Sequence, residues 1–527
     1  MSVPLLSLRT AYCFRIWAST AATSALLGAA PAQAAITLPK VFGNDMVLQS
    51  GEPLNFWGWA DVGEKVTLKQ AGVVLAVAEG KGGETPWKVQ LPAQKPGPVP
   101  DLEISGSNTL TLSNILAGEV WLCSGQSNMV MTVQKGPWCG YGGVLDADKE
   151  TAAATDGTIR LFQAGKGWRV CSPETVPEFS GTAYFFARHL RAELKSPVGL
   201  LLAVAGGTAA ERWTPARVLE SDASFQSLKL KAKTLNEDPR LAEDRKAMEA
   251  WKKEVEAAKS AGTQGPAAPK LQLTPDQNFA AQDSAPVLTT GSLYENNIRP
   301  LAPFNIKGAV WYQGESNARR GELYASLMGH LIGGWREDWG TPFPFVVVTL
   351  AGFGKPEPWT PNQGSYALMR EAQIQVARDV PGVGVVSATD VGEASNIHPP
   401  NKQAVGARAA LWALNHVYKR NTVSEGPVFG EVTFSPGKAV VPVLKSGDGL
   451  HLKGPGGFEL AGIDHNFVPA TAELKGSEIE VRAPGVEHPT SLRYAFRNFP
   501  ECTVYNGAGL PALPFRTDRR PVDPAAN

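Results

Sequence analysis

From about residue 116 onward, short apolar runs alternate with longer stretches that carry apolar residues at helical spacing. Glu119–Cys123, Ile159–Phe162, Val198–Val204, Ile306–Trp311, Phe345–Leu350 and Val383–Ser387 suit strands buried on both faces. Between them, Thr182–Leu194, Glu322–Trp335, Tyr366–Ala377 and Gln403–Tyr418 read as helices. Strands that alternate with helices in this way predict an α/β fold: a doubly wound parallel sheet in three layers, with helices on both faces.

The pattern differs on either side. Residues 35–116 hold short β-like runs separated by turn residues, among them Leu54 to Trp59, Lys65 to Gln70 and Trp87 to Leu91. They predict an N-terminal β-sandwich. Residues 424–527 return to that texture and predict a C-terminal β-sandwich, expected to pack on the first because chain ends often lie together. The α/β domain is then 117–423. Within it, 218–285 breaks the rhythm. Leu241 to Ala258 is rich in Ala, Glu and Lys with opposite charges at helical spacing, so a helical surface insertion is expected there.

Composition narrows the function classes. The 527 residues exceed what one core needs, so several domains are expected. Formal net charge is zero, which leaves no basic field for nucleic acid. Residues 1–34 read as a secretory signal peptide: Arg9 and Arg15 precede an apolar stretch, and Ala32-Gln33-Ala34 forms an A-x-A cleavage site. A periplasmic or secreted protein starting near Ala35 is expected, with no membrane span in the mature chain. The cysteines lack zinc-type spacing. Cys139 and Cys171 lie in loop-like sequence and are the candidates for a disulfide, whereas Cys123 ends an apolar strand and reads as a buried thiol.

Four polar blocks each follow a predicted strand, on the edge where open α/β sheets bind ligands. Ser127, in Ser124-Gly125-Gln126-Ser127-Asn128-Met129, follows the first strand and is the candidate nucleophile. Ala205-Gly206-Gly207-Thr208 follows Val198–Val204. Glycine there lets the backbone N–H groups of this block approach a substrate oxyanion. Trp311-Tyr312-Gln313-Gly314-Glu315-Ser316-Asn317 offers the Gln313 amide as a second oxyanion donor and Glu315 as an acid to orient a base. Of seven histidines, His398 alone sits on a loop after a core strand and before a long helix, and it is the candidate general base.

Together these blocks resemble the SGNH-hydrolase superfamily, and closely the sialate O-acetylesterase-like carbohydrate acetylesterases. Asn44-Asp45-Met46-Val47-Leu48-Gln49 and Trp57-Gly58-Trp59 are similar to that family's opening β-domain, Gly206-Gly207-Thr208 with Trp213 to one of its active-site blocks, and Leu510-Pro511-Ala512-Leu513-Pro514-Phe515-Arg516-Thr517-Asp518 to its C-terminal close. The resemblance implies a serine esterase that needs no metal or cofactor and removes O-acetyl groups from glycans by way of an acetyl-enzyme. In one respect the chain departs from the pattern. Many superfamily members place an aspartate three residues before the histidine, where this chain has Ser395. Glu315 is therefore expected as the third member of the triad, with Asp390 the runner-up.

The resemblance allows as partner an acetylated oligo- or polysaccharide, from plant hemicellulose such as xylan or xyloglucan to O-acetyl sialic acid. Two other readings compete. A non-catalytic carbohydrate-binding protein could use some of the fourteen tryptophans for sugar stacking. An esterase could instead act on non-sugar acyl esters.

Overall fold

Six parallel strands form the centre of the molecule in the order β2-β3-β1-β4-β5-β6. They are β1 (Ile115–Gly125), β2 (Ile159–Gln163), β3 (Val198–Val204), β4 (Gly308–Tyr312), β5 (Phe345–Val348) and β6 (Val383–Val386). A short strand, Gly167–Val170, adds antiparallel to β2 at one edge. The computed structural model describes residues 35–136, 141–354 and 365–518. The expected signal segment and Cys139 lie outside these.

Alternation along the strands divides the core in two. Val120, Leu122, Ala309, Trp311, Phe345 and Val347 join one hydrophobic cluster, with α2 (Gly321–Trp339) and α3 (Ser365–Asp379). Trp121, Cys123, Val310, Val346 and Val348 join another, with α1 (Gly181–Leu194) and α4 (Lys402–His416). Neighbouring residues of a strand point to opposite faces, so each strand feeds both clusters. This is why the strands read as continuous apolar runs. Each helix lies within a few residues of its expected span.

The N-terminal strands are joined to this sheet covalently and by pairing. The first half of β1 pairs parallel with Val47–Gln49 and antiparallel with Gly97–Val99. The N-terminal core accordingly merges with the α2–α3 cluster, where Phe42 packs against Phe304. The C-terminal strands form a separate antiparallel sheet with its own hydrophobic cluster. Contrary to the expectation, this sheet docks on the helical layer rather than on the N-terminal strands. Arg516 pairs with Glu371 of α3, and the buried Arg370 guanidinium donates to the carbonyls of Arg497 and Asn498. Arg370 also donates to the carbonyls of Leu350 and Ala351, so it clamps the loop after β5 to the C-terminal sheet.

The expected insertion consists of three helices, Ala223–Asn236, Pro239–Ser260 and Pro275–Leu288. Leu241, Leu273 and Ala281 form a small core of their own. Cys171 is buried and its thiol is directed at the Ala154 carbonyl; Cys139, its expected disulfide partner, lies outside the described residues. Cys123 is also a buried free thiol. No helix among the described residues is long and apolar enough to cross a membrane.

Candidate active site

All six strands run the same way, so the loops after β1, β3, β4 and β6 emerge on one edge of the sheet. Gly125 ends β1 with φ +139°, and a Cβ there would lie 2.2 Å from the Tyr312 carbonyl oxygen. Only glycine lets β1 and β4 approach so closely at their ends. Gln126 is extended, and Ser127 opens a short helical turn, Ser127–Val130. The Gln126 side chain accepts from the backbone N–H groups of Gly314 and Ser316, which fixes the loop after β4 against the serine turn.

The glycine turn after β3 lies beside this serine. A Cβ placed on Gly206 would be 3.8 Å from the Ser127 Cβ and 2.8 Å from the Tyr141 hydroxyl. Gly207 follows with φ +65°, and both glycines are exposed. The turn is braced from within: Thr208 Oγ1 donates to the Ala205 carbonyl, and the Trp213 indole N–H donates to Thr208 Oγ1.

Gln313, expected as an oxyanion donor, turns inward. Its amide donates to the Thr208 carbonyl at 3.0 Å and to Asn317 Oδ1 at 2.8 Å, and it accepts from the Tyr324 hydroxyl. Both amide hydrogens are thus committed inside the protein. Strand parity explains the direction. Gln313 follows Trp311 by two residues and shares its face, the one covered by α2, which carries Tyr324. Asn317 in turn donates to Glu211, which forms a buried ion pair with Arg320.

Glu315 is half-buried, and its Oε1 accepts from the Asn128 amide at 2.5 Å. Its Oε2 is buried with no partner. Desolvation raises its pKa above the ordinary carboxylate range, against hydrogen bonds and the Lys402 charge, which lower it. The same Asn128 nitrogen donates to the Ile397 carbonyl at 3.0 Å, and Asn128 Oδ1 accepts from Lys402 Nζ at 2.7 Å. Asn128 therefore ties the serine turn, the acid and the histidine loop together. Glu315 itself makes no hydrogen bond to His398.

His398 is half-buried and lies flat on Tyr141, with ring centroids 4.1 Å apart and planes 13° from parallel. Its backbone N–H donates to Asn396 Oδ1. Burial and then the nearby Lys402 charge lower the imidazole pKa, which favours the neutral, proton-accepting form. Asp390 is held elsewhere. Both of its oxygens bond Arg408, and the Tyr505 hydroxyl also donates to it.

The structure thus gathers Ser127, Gly206 and Gly207 around Tyr141 and His398, and links Glu315 to them through Asn128. Sequence reasoning gave no role to Asn128, Lys402 or Tyr141. Lys402 left a signal: it opens α4 on the apolar stripe continued by Val405, Ala409 and Trp412, a position that dictates burial. A cation at a helix N-terminus also opposes the helix dipole, so it needs another reason to be there.

This arrangement has relatives. The carbohydrate esterase, sialic acid-specific acetylesterase family model matches residues 281–411, which include Gln313, Glu315 and His398. Sialate O-acetylesterase of Rattus norvegicus is 26% identical over 90% of this chain and 92% of its own length. Its Homo sapiens counterpart is 27% identical over 90% of each chain. The crystal structure of a carbohydrate acetylesterase from Xanthomonas citri matches with TM-score 0.73 and 29% identity, over 92% of this chain and 100% of that one. Over most of its length the chain is thus similar to sialate O-acetylesterases and carbohydrate acetylesterases, and it is a carboxylic ester hydrolase.

Proposed function

We propose that the protein removes O-acetyl groups from glycans through an acetyl-enzyme on Ser127, on an SGNH-type three-layer domain. The observation that carries this reading is the close approach of Gly206 to Ser127 at the ends of two adjacent parallel strands. It puts a candidate nucleophile and an exposed glycine turn on one edge of the sheet.

In this reading Ser127 Oγ attacks the acetyl carbonyl and His398 accepts its proton. The backbone N–H groups of Ser127 and Gly207 hold the oxyanion, an interaction whose loss costs roughly 100–1,000-fold in turnover. Gln313 serves this hole indirectly, since its bond to the Thr208 carbonyl holds the glycine turn. Collapse of the intermediate expels the sugar alkoxide, which takes the proton from His398. Water, deprotonated by the same imidazole, then releases acetate. Glu315 is the anionic member, its unpartnered Oε2 being the acceptor left for the imidazolium. Catalytic hydrogen bonds often tighten only once substrate is bound.

Ser127→Ala should abolish acetate release from p-nitrophenyl acetate and from an acetylated glycan while leaving the fold intact. Retained hydrolysis would sink the reading. The expected substrate is acetylated hemicellulose, xylan or xyloglucan, met outside the cytoplasm. The signal-like residues 1–34 and the two extra β-domains motivate this choice. Mass spectrometry of acetylated xylan, xyloglucan and O-acetyl sialosides before and after treatment tests it. Activity confined to the sialosides would replace hemicellulose with sialic acid.

A further inference from the structure

We propose that Lys402 is a positioning residue of the hydrolysis, acting through Asn128 to hold Glu315 and the His398 loop in register. The inference rests on the serine-esterase reading above. Lys402 is fully buried, far more than a lysine ordinarily tolerates unless paired. Its ammonium hydrogen-bonds Asn128 Oδ1 and lies 5.3 Å from the centre of the Tyr312 ring.

An ammonium can only donate. It therefore accepts one orientation of the Asn128 amide, the one with Oδ1 facing Nζ. Nδ2 is then forced to face Glu315 and the Ile397 carbonyl, and it reaches both. With Lys402 removed, Asn128 Oδ1 loses its partner and that end of the amide is no longer held. Its flipped form would set Oδ1 against the Glu315 carboxylate and the Ile397 carbonyl, three acceptors with no donor between them. Either outcome loosens the residue directly before His398.

The charges around Lys402 fit such a role. Glu315, from the loop after β4, and Glu393, from the loop after β6, favour its charged form. Burial opposes it and brings the ammonium pKa down to about 7. Tyr312 of β4 presents its ring. Gly181 and Thr182 of α1 add no charge, and a Cβ at Gly181 would lie 3.4 Å from the Lys402 stem, at ordinary contact distance. His398, on the loop that enters α4, feels Lys402 as a like charge that lowers its pKa.

Lys402→Met is the test, with p-nitrophenyl acetate as substrate. kcat should fall by 10-fold or more with KM little changed, because the lysine touches no substrate. The acid limb of the kcat/KM profile should move to higher pH, since His398 loses a neighbour that favoured its neutral form. Combined with Glu315→Gln, Lys402→Met should cost little more, because the two act through one amide. Lys402→Arg keeps the charge and should keep the wild-type acid limb while losing kcat; it serves if the methionine variant does not fold. An unmoved acid limb in Lys402→Met, or full additivity with Glu315→Gln, would show a merely structural lysine and overturn the proposal. If Ser127→Ala is inactive and Lys402→Met behaves as wild type, only this inference fails. If Ser127→Ala stays active, the esterase reading fails first.

Discussion

The Tyr141 ring covers one face of the His398 imidazole, 4.1 Å away and nearly parallel. The stack withholds that face from water, and loss of solvent is the larger cause of the imidazole's lowered pKa. A general base must be neutral to accept the Ser127 proton, so a lowered pKa extends activity toward acid.

Tyr141→Ala should reverse this. With the ring gone, His398 is better hydrated and its pKa rises. The acid limb of kcat/KM for p-nitrophenyl acetate should then move to higher pH. Tyr141→Phe keeps the covering ring and should keep the limb in place. A limb that moves equally in both variants would assign the effect to the hydroxyl instead.

The Asp390–Arg408 pair predicts a different kind of loss. Asp390 was the runner-up for the triad acid, yet both of its oxygens bond Arg408, with both side chains largely buried. Breaking one side of a buried pair costs about 3–5 kcal/mol. Asp390→Asn should lower the melting temperature clearly while leaving the pH profile in shape. Glu315→Gln should do the opposite, cutting kcat at small cost in stability. Comparing melting curves and pH profiles of the two variants decides between the carboxylates.

Gln313 makes a third case. Gln313→Leu would strand the Thr208 carbonyl in a buried site, while Asn317 Oδ1 keeps the Ala210 N–H and the Tyr324 hydroxyl keeps the backbone carbonyl of residue 313. Each buried group left unpaired costs about 1–3 kcal/mol. Stability and turnover should fall together, with esterase activity lost as the glycine turn loosens. A thousand-fold loss of kcat at unchanged melting temperature would instead make Gln313 a direct oxyanion donor.

Much of this was legible in the sequence, for physical reasons. Buried parallel strands must be apolar on both faces, so β1 to β6 could be located from their runs alone. Once the strands are parallel, the blocks after β1, β3, β4 and β6 share an edge. Strand parity also places Gln313 with Trp311 toward α2, although a polar residue at a strand end is easily taken to face the ligand. The Asn128–Lys402 bond is of another kind. It joins residues 274 positions apart, and no local pattern reports it. The docking of the C-terminal sheet rests similarly on Arg370, whose bonds are to backbone carbonyls that any sequence supplies.

Two glycines beside Ser127 should respond differently to the same added methyl group. At Gly125 the new Cβ would fall 2.2 Å from the Tyr312 carbonyl oxygen and 2.7 Å from its carbon, at a φ that L side chains rarely adopt. The obstacle is backbone on the neighbouring strand, so Gly125→Ala must separate β1 from β4, and soluble protein or melting temperature should fall sharply. At Gly206 the nearest atom is the far end of a side chain, the Tyr141 hydroxyl at 2.8 Å, and Ser127 Cβ is already at an ordinary distance. Gly206→Ala should therefore fold normally and push Tyr141 aside, disturbing the stack on His398. Melting temperature near wild type, with the acid limb displaced in the same direction as in Tyr141→Ala, is the expected pair of results. A Gly206→Ala enzyme that melts early would mean that the turn, rather than the tyrosine, yields to the methyl.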